Sequence, residues 1–174
     1  MCFATPQPEA PGHLAIRPAV PADAGPLAHL RWEFRAALNE ATEDEAGFIA
    51  RCSEWMAARL GPASDWRCWV VETPGREVAG NLWLQLIEKV PNPVPELEHH
   101  GYITNVYVVP ELRGSGAGEL LLETALAWCG ERGLDSVVLW PTARSRTLYA
   151  RHGFAVRDDI MEAILDPGRD ISAH

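Results

Sequence analysis

The run from Tyr107 to Leu122, Tyr-Val-Val-Pro-Glu-Leu-Arg-Gly-Ser-Gly-Ala-Gly-Glu-Leu-Leu-Leu, carries an apolar strand through a glycine-rich turn straight into an apolar helix. Glycines at 114, 116 and 118 admit positive φ and let a ligand approach the bare backbone, and the helix that follows leaves its first amide N–H groups without intrahelical partners. With the positive end of the helix dipole added, this is an anion cradle suited to a diphosphate. Three alternating glycines cost backbone entropy that a turn binding nothing seldom needs.

Spacing separates this loop from other phosphate loops. A nucleotide-triphosphate loop requires Lys and then Ser or Thr after its last glycine, whereas Gly118 is followed by Glu119 and Leu120. A dinucleotide fingerprint counted from Gly114 would need its third glycine at Glu119. What remains is Val108-x-Pro110-x-x-Arg113-Gly-x-Gly-x-Gly118, which resembles the acyl-coenzyme A loop of the GCN5-related N-acetyltransferases (GNAT).

A chain of 174 residues with 47% apolar and 22% charged residues is a single domain of ordinary size. We expect the domain over residues 13–165, with tails at 1–12 and 166–174. No apolar run approaches the ~18 residues of a membrane span, and the amino terminus lacks the basic and apolar regions of a secretory signal, so no membrane partner is expected. A formal net charge of −9 without a Lys/Arg block argues against nucleic acid and makes a cationic acceptor the easier one to imagine. Cys2, Cys52, Cys68 and Cys129 are scattered, which suits reduced thiols in a cytoplasmic protein, and neither they nor the six histidines have metal spacing, so no metal is expected.

Along the chain, 13–17 reads as a strand, and Leu27, Leu30, Phe34 and Leu38 recur at helical spacing. The acidic stretch 40–45 breaks that helix, and 48–60 forms a second one along Ile49, Cys52, Met56 and Leu60, the pair making a flap. Strands at 67–73 and 77–88 flank the turn Pro74-Gly75-Arg76. The proline-rich segment 90–100 reads as a loop lying over substrate, followed by a strand at 102–109. After the glycine loop come a helix to Glu131, a buried strand at 136–140, a short helix at 145–152 and a last strand at 161–165. This order, β-α-α-β-β-β-α-β-α-β, also resembles the GNAT family, over nearly the whole chain. The fold class implied is α/β, a splayed central mixed sheet flanked by helices, with the coenzyme in the gap between the strand before the glycine loop and the strand 136–140. The short carboxy-terminal region leaves a sheet edge that a second copy would cover, and a homodimer is a reasonable expectation.

The resemblance implies acetyl-CoA as acyl donor and direct attack by an amine in a ternary complex, where orientation supplies most of the acceleration and no covalent enzyme intermediate is needed. The acceptor is then a small-molecule amine or a peptide amine. Tyr149, in Leu148-Tyr149-x-x-x-Gly153-Phe154, matches the family tyrosine beside the coenzyme sulfur and would protonate the departing thiolate. Taken alone it reads as a core aromatic; the glycine loop shifts the balance toward catalysis. Backbone N–H groups of Val106, Tyr107 and Val108 would meet the thioester carbonyl. Arg113 and the amides of Gly114, Ser115, Gly116, Ala117 and Gly118 would hold the diphosphate, although Arg113 by itself reads equally well as a solvated surface charge. Thr142, standing where the family often has Asn, and Ser145 would contact the coenzyme. Arg31, Glu33, Tyr102 and Asn105 would line the acceptor pocket. No general base is singled out: Tyr102 replaces a Glu of some members, and Glu33, Glu72, Glu88 and Glu98 each read more readily as solvated charges. The tryptophans, spread over many elements, read as packing. Two alternatives remain: a non-catalytic acyl-CoA-binding module, and an acyltransferase using a longer acyl group.

Overall fold

In a computed structural model the described residues are 14–38, 41–163 and 165. Both expected tails, His13 and Glu40 lie outside them. Five strands form one sheet in the order β1 (Ala15–Pro18), β2 (Trp66–Glu72), β3 (Val78–Glu88), β4 (His99–Val108), β5 (Val137–Val138). Neighbours are antiparallel except β4 and β5, which run parallel with Gly101 opposite Val137 and Tyr102 opposite Val138. The mixed sheet flanked by helices is the expected fold class.

Strands β2 and β3 are buried on both faces, so they read as unbroken apolar runs rather than as alternating ones. On one face Cys68, Val70 and Trp83 pack with Ala24, Leu27 and Ala28 of α1 (Ala24–Ala36) and Met56 of α2 (Glu45–Arg59). On the other, Trp69, Val71, Leu82, Leu84 and Ile103 pack against Leu121, Leu122, Ala125 and Cys129 of α3 (Ala117–Glu131). Tyr149, on α4 (Arg146–Arg151), joins this second cluster.

Local chemistry moves several boundaries away from the pattern in the sequence. Helix α1 stops at Ala36, and Leu38 is exposed. The acidic stretch does not merely break a helix, because Asp44 Oδ1 accepts the Gly47 N–H at 2.8 Å and so caps α2, which starts at Glu45. Strand β4 begins at His99, inside the segment expected as loop. The expected strand 136–140 is reduced to two half-buried residues. Residues 161–163 and 165 form no strand, and Met161 and Leu165 are exposed, since no described element offers them an apolar face. The proline-rich loop is held by Lys89, which bonds Asp135 at 2.7 Å and Glu96 at 3.2 Å.

A bulge in β4 sets its direction at the site. The register against β3 shifts between Asn81–Tyr107 and Trp83–Thr104, placing one extra residue in β4. Asn105 adopts φ +50°, a left-handed conformation that Asn tolerates better than most residues. Fully buried Asn81 fixes the bulge by donating from Nδ2 to the Asn105 carbonyl at 2.7 Å.

Candidate active site

Among the described residues no strand pairs with the outer edge of β4 beyond Tyr102, so alternate backbone N–H and C=O groups of that strand face an open cleft. The cleft, about 300 Å³, runs between β4 and the segment 139–149. Val106, Tyr107, Val108, Arg113, Gly118, Thr142, Ser145 and Tyr149 line it, together with Tyr102 and Asn105. Leu139 and Trp140, beyond the end of β5, line it too, with the Trp140 ring edge-on to Tyr102 at a centroid distance of 4.9 Å.

The glycine loop enters α3 as the sequence pattern requires. Gly114 and Gly116 have φ of +81° and +89°, Gly116 being the helix N-cap. Gly118 differs from the expectation: it lies inside the first helical turn, without positive φ. Its bare Cα instead keeps open a space between Leu148 Cδ2 and Val108 Cγ2, which an added Cβ would enter at 3.9 and 4.0 Å. Among the described residues no backbone acceptor faces the N–H groups of Gly114, Gly116, Gly118 or Glu119, whereas Ala117 N–H is 3.4 Å from Ser115 Oγ. Gly114, Ser115, Gly116 and Ala117 do not line the cleft itself; they sit at the α3 end where Gly118 and Arg113 do. Arg113 donates from Nε to the Val108 carbonyl at 3.2 Å and lies over the Tyr107 ring. This set of free amides, a space kept open by glycine and a guanidinium fits a diphosphate-bearing coenzyme.

Tyr149 is buried at 8% exposure, and burial pushes its phenol above the ordinary value of 10, against a smaller opposing effect of the Ser145 hydroxyl. The group is therefore protonated throughout the physiological range. Ser145 and Thr142 are joined to each other, hydroxyl to hydroxyl, at 3.0 Å.

A second cavity, about 320 Å³, opens on the α1–α2 side of β4 and shares Tyr102, Thr104 and Asn105 with the first. Arg31 lines it and donates from Nη1 to Asn105 Oδ1 at 3.1 Å. Burial, with Arg35 as a lesser cause, lowers the Arg31 guanidinium to about 10. Glu33 lines neither cavity; Oε2 of this exposed residue accepts from the Tyr107 hydroxyl at 3.3 Å, which together with burial raises that phenol. Glu72, Glu88 and Glu98 line neither cavity, and Glu72 is bonded to Arg17 at 2.7 Å. The proline-rich loop contributes no lining residue, contrary to its expected place over substrate.

Some site residues were missed by sequence reasoning. Arg144 lines the first cavity; its position between the end of β5 and α4 was the available signal. Trp55, Trp66 and Trp83, read as dispersed packing, converge with ring centroids 5.2 to 6.0 Å apart and line the second cavity. They come from three elements, and no local spacing announces their meeting. Glu119, Glu123 and His152 bring potential ligand atoms within 4.8 Å of one another on α3 and the end of α4, where Arg151 also approaches Glu119 at 3.9 Å.

The profile of the acetyltransferase (GNAT) family matches residues 27–154. The chain belongs to that family. Among solved structures, a GCN5-related N-acetyltransferase from Ralstonia eutropha JMP134 is 30% identical, with a TM-score of 0.67 over 87% of this chain and 99% of the other. A predicted acetyltransferase from Clostridium acetobutylicum, solved with acetyl-CoA, is 22% identical with a TM-score of 0.71, covering 88% of this chain and 97% of the other. Glucosamine-6-phosphate N-acetyltransferase from Arabidopsis thaliana shares the fold at 19% identity and a TM-score of 0.62, over 88% of this chain and 99% of the other. No curated protein matches the sequence. For this GNAT domain, no helix among the described residues is long and apolar enough to cross a membrane.

Proposed function

We propose that this GNAT protein transfers the acetyl group of acetyl-CoA to a primary amine by direct attack in a ternary complex. The observation that carries the reading is the juxtaposition of two cavities on β4. One ends at the free amides of α3 and at Tyr149, the other is lined by α1 and α2, and they share Tyr102, Thr104 and Asn105. A donor in the first and an acceptor in the second meet at the bulge.

Acetyl-CoA supplies an activated thioester. The free amides of the α3 amino terminus and Arg113 hold its diphosphate, and outward-facing amides of β4 polarise the carbonyl. As the amine attacks and the carbon–sulfur bond breaks, Tyr149 gives its proton to the leaving sulfur, and the attacking nitrogen loses one to water. Among the described residues no carboxylate lines either cavity, which favours a water relay over a side-chain base. Replacing Tyr149 with Phe keeps the buried ring and removes the donor. We expect kcat to fall by about 100-fold or more, within the range for a general acid, while the acetyl-CoA dissociation constant measured by calorimetry changes little. Unaltered kcat at saturating substrates removes Tyr149 from the mechanism.

A further inference from the structure

The acceptor cavity has a chemical character opposite to that of the chain as a whole. Against a net charge of −9, its titratable lining among the described residues consists of Arg31, Arg51, Cys52 and Tyr102, with no carboxylate. Arg51 is paired with Glu43. Cys52 remains a neutral thiol, because burial raises it. Arg31 is the unusual member. Its hydrogen bond goes to a neutral amide oxygen, Asn105 Oδ1, it lies 5.7 Å from the Phe34 ring centroid, and no carboxylate among the described residues is paired with it. A half-buried guanidinium without a counter-ion carries a desolvation cost that a bound anion relieves.

The rest of the lining is aromatic. Trp55, Trp66 and Trp83 form a wall with Phe48 and Met56 beside it. Trp83 is 2% exposed, and its buried Nε1 has no acceptor among the described residues. A buried indole N–H without a partner is costly unless a ligand oxygen completes it. Tryptophan faces also bind cations, but a cationic body would meet the Arg31 guanidinium, and among the described residues no carboxylate lines the cavity.

Resting on the acetyl-transfer reading above, we infer that the acceptor is a primary amine bearing a carboxylate and an aromatic or large apolar group. Arg31 takes the carboxylate, and the tryptophan wall takes the apolar body. The cavity, about 320 Å³, lies at the small end of ligand pockets, which suits a single amino-acid-sized molecule.

The test compares phenylalanine, phenylalaninamide and 2-phenylethylamine, and the tryptophan equivalents, in two readouts on wild type, Arg31→Met and Arg31→Lys. The first is acetylated product by mass spectrometry, and the second is equilibrium binding followed by fluorescence of the cavity tryptophans with desulfo-coenzyme A present. We expect kcat/KM for the free acid to exceed that of its amide by at least about 30-fold, the scale of one charge-assisted pair. That ratio should collapse toward one in Arg31→Met and recover in part in Arg31→Lys. A purely structural Arg31 would lower all acceptors alike and leave the ratio intact, which would overturn the inference. Faster transfer to the amide or to phenylethylamine would also overturn it while acetyl transfer stood. Carboxylate-selective binding without any product would sustain the pocket assignment and remove the transferase reading. Absence of binding by the whole panel, or preference for a quaternary ammonium probe, would sink the assignment.

Discussion

Gly118 allows coenzyme binding to be perturbed with the opposite effect on folding. It sits in the first turn of α3 with ordinary helical backbone, and a Cβ there would lie 3.9 Å from Leu148 Cδ2 and 4.0 Å from Val108 Cγ2, at normal van der Waals distance. Replacing a helical glycine removes about 0.5–1 kcal/mol of entropic cost, and a carboxylate in the first turn gains about 0.3–1 kcal/mol from the helix dipole. Gly118→Asp is therefore expected to melt at or above the wild-type temperature. In the cleft the same carboxylate competes with the coenzyme diphosphate for the free amides of the α3 amino terminus. Loss of two charge-assisted bonds at about 1.5 kcal/mol each is about 3 kcal/mol, or roughly a 100-fold rise in Kd. Calorimetric titration with desulfo-coenzyme A, paired with thermal melting, reads both effects. Wild-type affinity in a Gly118→Asp protein of undiminished stability would refute the placement of the diphosphate.

The pH dependence follows from the buried phenol. Tyr149 must be protonated to act, and burial raises it above 10, so kcat for a fast acceptor should hold level through pH 9 and fall only beyond the ordinary tyrosine value. A descending limb centred well below pH 9 that vanishes in Tyr149→Phe would contradict the direction of that shift. Stability rests partly on Asp23, whose carboxylate accepts two bonds from Arg17 at 2.8 and 2.9 Å and one from Val20 N–H at 2.8 Å. The Arg17 bonds hold Asp23 below its ordinary 3.8, so its contribution is complete above that pH and is lost as pH falls through the lower folded value. Asp23→Asn should cost about 2 kcal/mol at neutral pH by denaturant unfolding, with the gap to wild type narrowing under acid; a constant gap down to pH 2 would exclude the ion pair as its cause.

The elements around the first cavity were legible because their signals are local. The passage from β4 through Gly114 and Gly116 into α3 is contiguous, and Leu148-Tyr149 with Gly153-Phe154 lies within one short helix and its end. The fold class was legible for a related reason, since strands and helices alternate with clear turn residues. The second cavity was not. Its wall joins Trp55 of α2, Trp66 of β2 and Trp83 of β3, and only the packing of α2 on the sheet brings them together. Glu33 was grouped with Arg31 by proximity in sequence, yet two residues along a helix point in different directions, and it reaches Tyr107 instead. The strand at 136–140 failed because an apolar run predicts burial, whereas Leu139 and Trp140 spend their apolar surface on the cleft. The bulge at Asn105 carries no signal in the spacing of β4 alone; its register against β3 is what reveals it.

Acetyl transfer from acetyl-CoA to an amine is tested by mass balance. Wild-type protein is incubated with acetyl-CoA and the acceptor panel, and free thiol, remaining acetyl-CoA and N-acetylated amine are quantified together. We expect acetylated amine equal to thiol released beyond acceptor-free hydrolysis, with both falling by about tenfold in Gly118→Asp at a coenzyme concentration that just saturates wild type. Calorimetric binding of acetyl-CoA with no acetylated amine from any acceptor would contradict it and leave a coenzyme-binding module in its place.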